Sequence, residues 1–204
     1  MDAEMNNTPE KNAQEDKVPV SRAFGLYLHD IIYLLSAMMV VLLLVFRVVV
    51  VSGTSMNMTL LDGDYLLLLS NTFYRNPEQG DIIVVSKDSF DDGAAFVKRV
   101  IATEGQTVDI DFERGIVYVD GVALEEDYIN TLTTTRGGVQ FPLVVDEGCV
   151  FALGDNRGIS KDSRYPDIGQ IDTREILGRA IFLILPGTNY KQETIDFGRI
   201  GVIG

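Results

Sequence analysis

The stretch that decides the architecture is IIYLLSAMMVVLLLVFRVVVV, Ile31 to Val51, in which Arg47 carries the only charge. As a helix its 21 residues would extend about 30 Å, the thickness of the hydrocarbon core of a bilayer. A buried core helix usually keeps a polar face, and the apolar part of a cleaved secretion signal is shorter and follows a basic segment. The run therefore predicts one membrane-spanning helix.

The segment before this run, residues 1–30, is polar and lacks an apolar period. Such a composition is typical of a disordered or loosely ordered tail. Lys17 and Arg22 lie just before the run, whereas after Arg47 the next basic residue is Arg75. Because basic residues are more frequent on the cytoplasmic side of a membrane, we expect the tail to be cytoplasmic.

The chain changes character after Val51, where short β-branched and apolar runs alternate with Gly, Asp, Asn and Pro. Runs bounded by turn-forming residues are typical of strands, and Arg114-Gly115 and Asp120-Gly121 flank one of them as turns. We therefore expect a mostly β fold in one domain over residues 52–204. The predicted strands are Asp64–Ser70, Asp81–Ser86, Ala95–Ile101, Gln106–Asp111, Gly115–Val119, Leu143–Val145, Val150–Leu153 and Arg179–Leu185.

The composition excludes several classes of function. Lys and Arg number 17 against 30 Asp and Glu, a net charge of -13 that argues against a nucleic-acid partner. Cys149 is the single cysteine, so an intrachain disulfide and a cysteine metal cluster are both excluded. His29 is the single histidine and lies at the edge of the apolar run, which makes a Ser/His/Asp triad improbable. We predict neither metal nor cofactor.

A lysine is the remaining candidate for a general base, provided that burial lowers its pKa. In the predicted strand Ala95–Ile101, Phe96, Lys98 and Val100 share one face, which would put the Lys98 ammonium among apolar groups, while Arg99 points the other way. The alternative is a strand-edge lysine that reaches water, which is the commoner case by burial statistics alone. Lys98 therefore needs a partner elsewhere in the chain.

The segment VSGTSMNMTL, Val51–Leu60, offers such a partner directly after the apolar run. It has several hydroxyls beside a glycine, and a turn of this kind could expose a nucleophile with its own N–H directed at an oxyanion. The alternative is a plain linker. The hydroxyl-bearing residues are Ser52, Thr54, Ser55 and Thr59.

A second polar segment, GDNRGISKDSRYPDIG, spans Gly154–Gly169. Its density of Asp, Asn, Arg and Ser predicts an ordered loop held by charge-assisted hydrogen bonds, such as one between Asp162 and Arg164. The alternative is a surface turn without a function.

Taken together, these segments resemble the type I signal peptidases, the Ser/Lys proteases of bacterial secretion. SGTSMNMTL is similar to the family motif SGxSMxPTL, and GDIIVV, Gly80–Val85, to its GDIV-type strand. VKRVI is similar to the start of VKRVIGxPGD. GDNRGISKDSR, Gly154–Arg164, matches GDNRxxSxDSR without a gap. The resemblance covers most of the chain after residue 30.

The resemblance implies a role for each matched polar residue. Ser55 would be the nucleophile and its N–H an oxyanion donor, and Lys98 would be the general base. Ser160 would hydrogen-bond and orient the Lys98 amine, and Asp162 and Arg164 would brace the loop. It further implies a β-rich catalytic domain behind one N-terminal transmembrane helix.

The resemblance also implies the substrates and the location. Exported precursors would be cut after small residues, typically Ala, at the first and third positions before the cleavage site. Met56, Leu60, Phe96 and Val97 would line the shallow apolar pockets. The partners would be signal peptides and membrane lipid, and the chain would cross the cell membrane once, with its catalytic domain outside the cytoplasm.

Three positions depart from the family pattern. Met58 stands where proline is usual, Ala102–Gln106 replaces GxPGD, and Gly53 stands where some members have a second hydroxyl donor. None of these removes a reacting group, but reduced activity or an unusual set of substrates would be consistent with them.

Three alternatives follow from these observations. One is an inactive relative that binds precursors or scaffolds a secretion complex. Another is a self-cleaving Ser/Lys regulator of the SOS repressor kind, which would carry a DNA-binding domain in place of the spanning helix. The third is a peptidase dedicated to a few surface-protein clients, which the sequence does not distinguish from a general enzyme.

Overall fold

The computed structural model describes residues 20–88, 90, 93–189 and 194–203, so most of the predicted tail, residues 1–19, lies outside the described residues. The chain divides between Val41 and Leu42 into two compact units. The expectation of a disordered or loosely ordered tail is wrong for residues 20–30, which are helical. The assignment of residues 1–30, 31–51 and 52–204 to a cytoplasmic tail, a span and an external domain stays a prediction.

The apolar run forms a helix over most of its length. Helix α1 covers Val20–Val45, and its part Tyr27–Val45 is long and apolar enough to cross a membrane. The prediction that this helix continues to Val51 is wrong, because Phe46–Val50 forms strand β1. The residues FRVVV are mostly β-branched, and they pair in antiparallel register with a later strand, which favours the extended conformation.

The described residues contain fourteen strands, and the prediction of a mostly β fold is confirmed. All eight predicted strands are present, and the largest difference in their bounds is at the start of β11. After β1 the strands are β2 Tyr65–Ser70, β3 Ile82–Ser86, β4 Ala95–Thr103, β5 Thr107–Asp111, β6 Ile116–Val119, β7 Val122–Ala123, β8 Leu143–Val144, β9 Cys149–Leu153, β10 Ile171–Asp172, β11 Ile176–Leu185, β12 Thr188–Asn189, β13 Thr194–Ile195 and β14 Gly201–Val202.

Most of these strands belong to one antiparallel sheet in the order β1-β2-β11-β3-β4-β9-β10, with β14 added to β11. A second sheet has the order β7-β6-β5-β8, and β12 pairs with β13. Strand β4 is central to the site. It pairs with β3 over Ala95–Arg99, and with β9 from Arg99 to Thr103.

The segment after β1 is anchored in the hydrophobic core. Val51, Met56 and Leu60 are buried in one cluster with Leu66 and Leu68 of β2 and with residues of β3 and β11. Two further clusters lie along β3, β4 and β9 and between β4, β9 and the second sheet. Apolar side chains on either side of Ser55 therefore fix the position of this segment against the main sheet.

Candidate active site

Ser55 and Lys98 meet in the structure. The Lys98 amine, Nζ, lies 2.9 Å from Ser55 Oγ and also donates to Val97 O at 2.9 Å. Lys98 is 2% exposed, whereas the two residues before it in β4 are half-buried. Its Nζ lies 5.4 Å from the centre of the Phe96 ring, the neighbour on the same strand face that the two-residue period predicts.

The surroundings of Lys98 favour its neutral form. Burial lowers the pKa of Lys98 from 10.5 to about 8, because desolvation disfavours the ammonium. The nearby carboxylates of Asp162 and Asp155 oppose this by raising the pKa, and the guanidinium of Arg164 lowers it. A fraction of the amine is therefore neutral near pH 8, as a general base requires.

The Ser55 turn is held by the second polar segment. Asn156 N–H donates to Ser55 O at 2.9 Å, and the Asn156 amide, Nδ2, donates to Thr54 O at 3.0 Å. Within the turn, Leu60 N–H donates to Met56 O at 2.9 Å. The two segments that were singled out in the sequence thus form one structure around Ser55.

Two of the four residues expected to line substrate pockets lie in the core. Met56 and Leu60 are each 1% exposed, so they offer almost no surface here, and their contact with substrate stays a prediction. They follow the serine in sequence, but their side chains point into the space between β2, β3 and β11 because burial of large apolar groups is favourable. Phe96 and Val97 are half-buried and retain surface beside Lys98.

Ser160 lies close to the pair but does not bond to Lys98. Its Oγ is buried, and among the described residues it has no hydrogen-bond partner, so the predicted bond to the Lys98 amine is not formed here. Gly154 explains the close approach of the segments. A Cβ at Gly154 would overlap Ser160 Oγ and lie 2.6 Å from Ser55 O. Only glycine lets the loop pass this close to the serine turn.

The predicted ion pair between Asp162 and Arg164 is present, with both side chains 0% exposed. Arg164 Nε donates to Asp162 Oδ1 at 2.8 Å, and its Nη2 donates to Oδ2 at 2.9 Å. Arg164 Nη2 also donates to the carbonyls of Arg157 and Ser160, and Asp162 Oδ2 accepts from Gly154 N–H at 3.1 Å. This bidentate pair closes the loop on itself.

Two further buried ion pairs were not found from the sequence. Arg99 binds Asp155 through two hydrogen bonds of 3.0 and 2.8 Å, and Asp155 also accepts from Thr59 Oγ1 at 2.5 Å. Arg157, 0% exposed, binds Glu126 through Nη1 at 3.1 Å and Nη2 at 2.6 Å. Arg99, Asp155 and Arg157 all lie in the quoted motifs, but their partners come from distant parts of the chain.

In the part of the chain that the structure describes, no group of three His, Cys, Asp or Glu residues is placed to hold a metal ion.

One cavity of about 420 Å³, lined by residues such as Tyr74, Arg75 and Thr173, is formed by residues other than Ser55 and Lys98. Geometry and pKa, rather than cavity size, single out the Ser55–Lys98 pair.

Comparison with known proteins shows the family of the chain. Residues 26–185 match the sequence model of a family described as signal peptidase, peptidase S26. The chain is 36% identical to the probable signal peptidase I-1 of Synechocystis sp. over 185 residues, which is 85% of this chain and 90% of that protein. It is 32% identical to signal peptidase I of Bacillus licheniformis over 155 residues, 72% of this chain and 81% of that protein.

Among solved structures, the crystal structure of a signal peptidase I from Enterococcus faecalis V583 is 32% identical, with a TM-score of 0.43 over 52% of this chain and 97% of that one. The sequence matches decide the family, since they extend over most of both chains. This chain belongs to the signal peptidase family, peptidase S26, and is a serine peptidase.

Proposed function

We propose that this chain is a membrane-anchored signal peptidase that removes signal peptides from exported precursors, with Ser55 as nucleophile and Lys98 as general base. The observation that carries the proposal is the 2.9 Å separation of Lys98 Nζ and Ser55 Oγ in a buried setting. The lowered pKa of Lys98, about 8, supports the same roles.

The proposed reaction begins with neutral Lys98. One of its N–H groups donates to Val97 O, which leaves the nitrogen lone pair free to accept the Ser55 proton. Ser55 Oγ attacks the carbonyl carbon before the cleavage site, and Ser55 N–H donates to the oxyanion. The C–N bond breaks as the Lys98 ammonium protonates the leaving amine, and water, deprotonated by Lys98, then hydrolyses the acyl ester.

The proposed substrate is an extended peptide whose first and third residues before the cut are small. Because β9 pairs with β4 only from Arg99 onward, the described strands leave one edge of β4 unpaired over Ala95–Lys98, beside Ser55. A peptide added to this edge would alternate its side chains, so its first and third residues would face the same way. Phe96 and Val97, which lie next to Lys98 and face opposite ways from β4, are the proposed substrate contacts.

The proposed location is a membrane, crossed once. Helix α1 supports an anchor by its length and composition. The basic residues Lys17 and Arg22 before the apolar run support a cytoplasmic N-terminus, with residues 52–204 on the other side. The proposed partners are therefore precursors and lipid, and the net charge of -13 argues against nucleic acid.

The test is cleavage of a precursor with an Ala-X-Ala site by the full chain in lipid vesicles. Ser55→Ala and Lys98→Met should each reduce the rate by about 10³-fold or more, because neither nucleophile nor base is replaceable. The matched controls are Ser52→Ala and Lys161→Met, an exposed serine and a half-exposed lysine, which should retain the rate.

Changing the first or third residue before the cut from Ala to Leu should abolish cleavage if the pockets are small. Retained activity in Ser55→Ala or Lys98→Met contradicts the proposed pair. A native chain that binds the precursor without cutting it would favour a precursor-binding role, and Met58 and Ala102–Gln106 would then be the first positions to restore to the family pattern.

A further inference from the structure

The loop that carries Ser55 closes at one buried residue. Val51 N–H donates to Asp64 O at 2.8 Å, and Gly63 N–H donates to Val51 O at 2.9 Å. The Asp64 side chain is 0% exposed. Both ends of the loop, Val51 to Asp64, therefore meet through backbone hydrogen bonds at Asp64, whose carboxylate is buried.

Four donors surround this carboxylate. Leu61 N–H donates to Asp64 Oδ2 at 2.7 Å, and Gly187 N–H donates to Oδ1 at 2.6 Å. Arg199 donates from Nη1 to Oδ1 at 2.9 Å and from Nη2 to Oδ2 at 2.6 Å. Its Nη2 also lies 3.3 Å from Thr59 O. Arg199 thus supplies the positive charge that a buried carboxylate needs and contacts the loop backbone directly.

Arg199 comes from the end of the chain. It closes a short 3-10 turn, Phe197–Arg199, just before β14, which pairs with β11 through Val202 and Phe182. The match to the family model ends at residue 185, so both Gly187 and Arg199 lie outside it. The terminal segment is therefore fixed on the main sheet and directs one arginine at the base of the Ser55 loop.

We infer that Arg199 is a positioning residue for Ser55: by holding the Thr59–Asp64 end of the loop, it keeps Ser55 Oγ within reach of Lys98. Thr59 is held from two sides, since its side chain donates to Asp155 while its carbonyl faces Arg199. The consequence for catalysis rests on the proposed function of Ser55. That Arg199 fixes the position of the loop does not depend on that function.

The test compares Arg199→Gln with the native chain in vesicles, well below the unfolding temperature. Loss of the guanidinium leaves the Asp64 carboxylate buried without its cation, and the loop must shift to hydrate it. We expect kcat to fall by about 10²-fold, the effect of a displacement of about 1 Å, with KM changed less than about twofold. Arg199→Lys restores the positive charge but not the pair of parallel hydrogen bonds to Asp64. It should therefore recover the unfolding temperature more fully than kcat.

The matched control is Arg179→Gln. Arg179 binds Asp81, a carboxylate of 6% exposure that also accepts hydrogen bonds from Tyr74 and Glu78 rather than from the Ser55 loop. This variant should lose comparable stability and keep kcat. Equal losses of kcat in both variants, or an unchanged kcat in Arg199→Gln, would overturn the inference.

Amide hydrogen exchange separates this inference from the proposed function. In Arg199→Gln, exchange should rise at least about tenfold in residues 51–64 and stay unchanged in β4 and β9. If Ser55→Ala remains active, the proposed nucleophile is wrong, yet the local rise in exchange would still support the hold on the loop. Unchanged exchange in residues 51–64 would refute the claim that Arg199 fixes the loop, whether or not Ser55→Ala is active.

Discussion

Replacing Lys98 by methionine should remove an electrostatic cost from the folded protein, and this cost should depend on pH in a defined way. Methionine has nearly the shape of the lysine stem and suits an apolar site. In the folded protein, burial lowers the pKa of Lys98 from 10.5 to about 8. Below pH 8 the ammonium is present in both folded and unfolded chains, and the folded chain bears the full cost of burying it.

The magnitude follows from the two pKa values. At about 1.4 kcal/mol for each pH unit between 10.5 and about 8, the cost is about 3 kcal/mol at pH 7. Between pH 8 and 10.5 the unfolded chain binds a proton at Lys98 that the folded chain does not, so native stability rises with pH. Above pH 10.5 the cost is gone. Loss of the hydrogen bond to Val97 O offsets part of the gain in Lys98→Met, equally at every pH.

The assay is urea unfolding of the full chain in detergent micelles, followed by far-ultraviolet circular dichroism because the sequence has no tryptophan. The free energy of unfolding of the native chain, relative to Lys98→Met, should increase by about 3 kcal/mol from pH 7 to pH 10.5. The control is Lys161→Met, because the Lys161 side chain is 49% exposed. Relative to this variant, the free energy of unfolding of the native chain should not change with pH in this way. A change below about 1 kcal/mol for Lys98→Met would refute the burial argument.

Three further expectations concern the same site. The log of kcat/KM should rise with pH up to an inflection near 8 and then level, since the lysine must be neutral; a profile flat from pH 6 to 9 would contradict this. Gly154→Ala should reduce activity by at least about tenfold, because its Cβ would overlap Ser160 Oγ, whereas Gly201→Ala, with open space around it, should not. Glu126→Gln should lower the free energy of urea unfolding by about 3–5 kcal/mol, because it leaves Arg157 buried without a counter-charge; a loss under about 1 kcal/mol would argue against that pairing.

The local pattern of the sequence was sufficient to place the strands and to make Lys98 a candidate, whereas only the family resemblance selected Ser55 among the four hydroxyls of its segment. The two-residue period of β4 put Phe96 and Lys98 on one face, and their observed proximity agrees with it. The apolar run was less informative. With too few polar residues to set a period, it did not reveal that the helix ends at Val45 and that Phe46–Val50 joins the sheet, which depends on pairing with β2.

The supporting contacts of the site could not be predicted for a different reason. A loop has no periodicity, so nothing in SGTSMNMTL shows that Met56 and Leu60 point into the core. The partners of the buried arginines are also remote in sequence, as in the case of Arg157 and Glu126, and only the fold brings them together. The motifs contain both members of the pair Arg99 and Asp155 but only Arg157 of the other pair, and in neither case do they show which residues are partners.

The most direct test of the central claim is to trap the acyl-enzyme. A precursor peptide with a labelled Ala-X-Ala segment, mixed with the full chain in vesicles and quenched in acid within one turnover, should leave its label as an ester on the proteolytic fragment that contains Ser55. Lys98→Met should leave none. A label on Ser52, Thr54 or Ser160, or cleavage without any ester on Ser55, would contradict the assignment of Ser55 as the nucleophile.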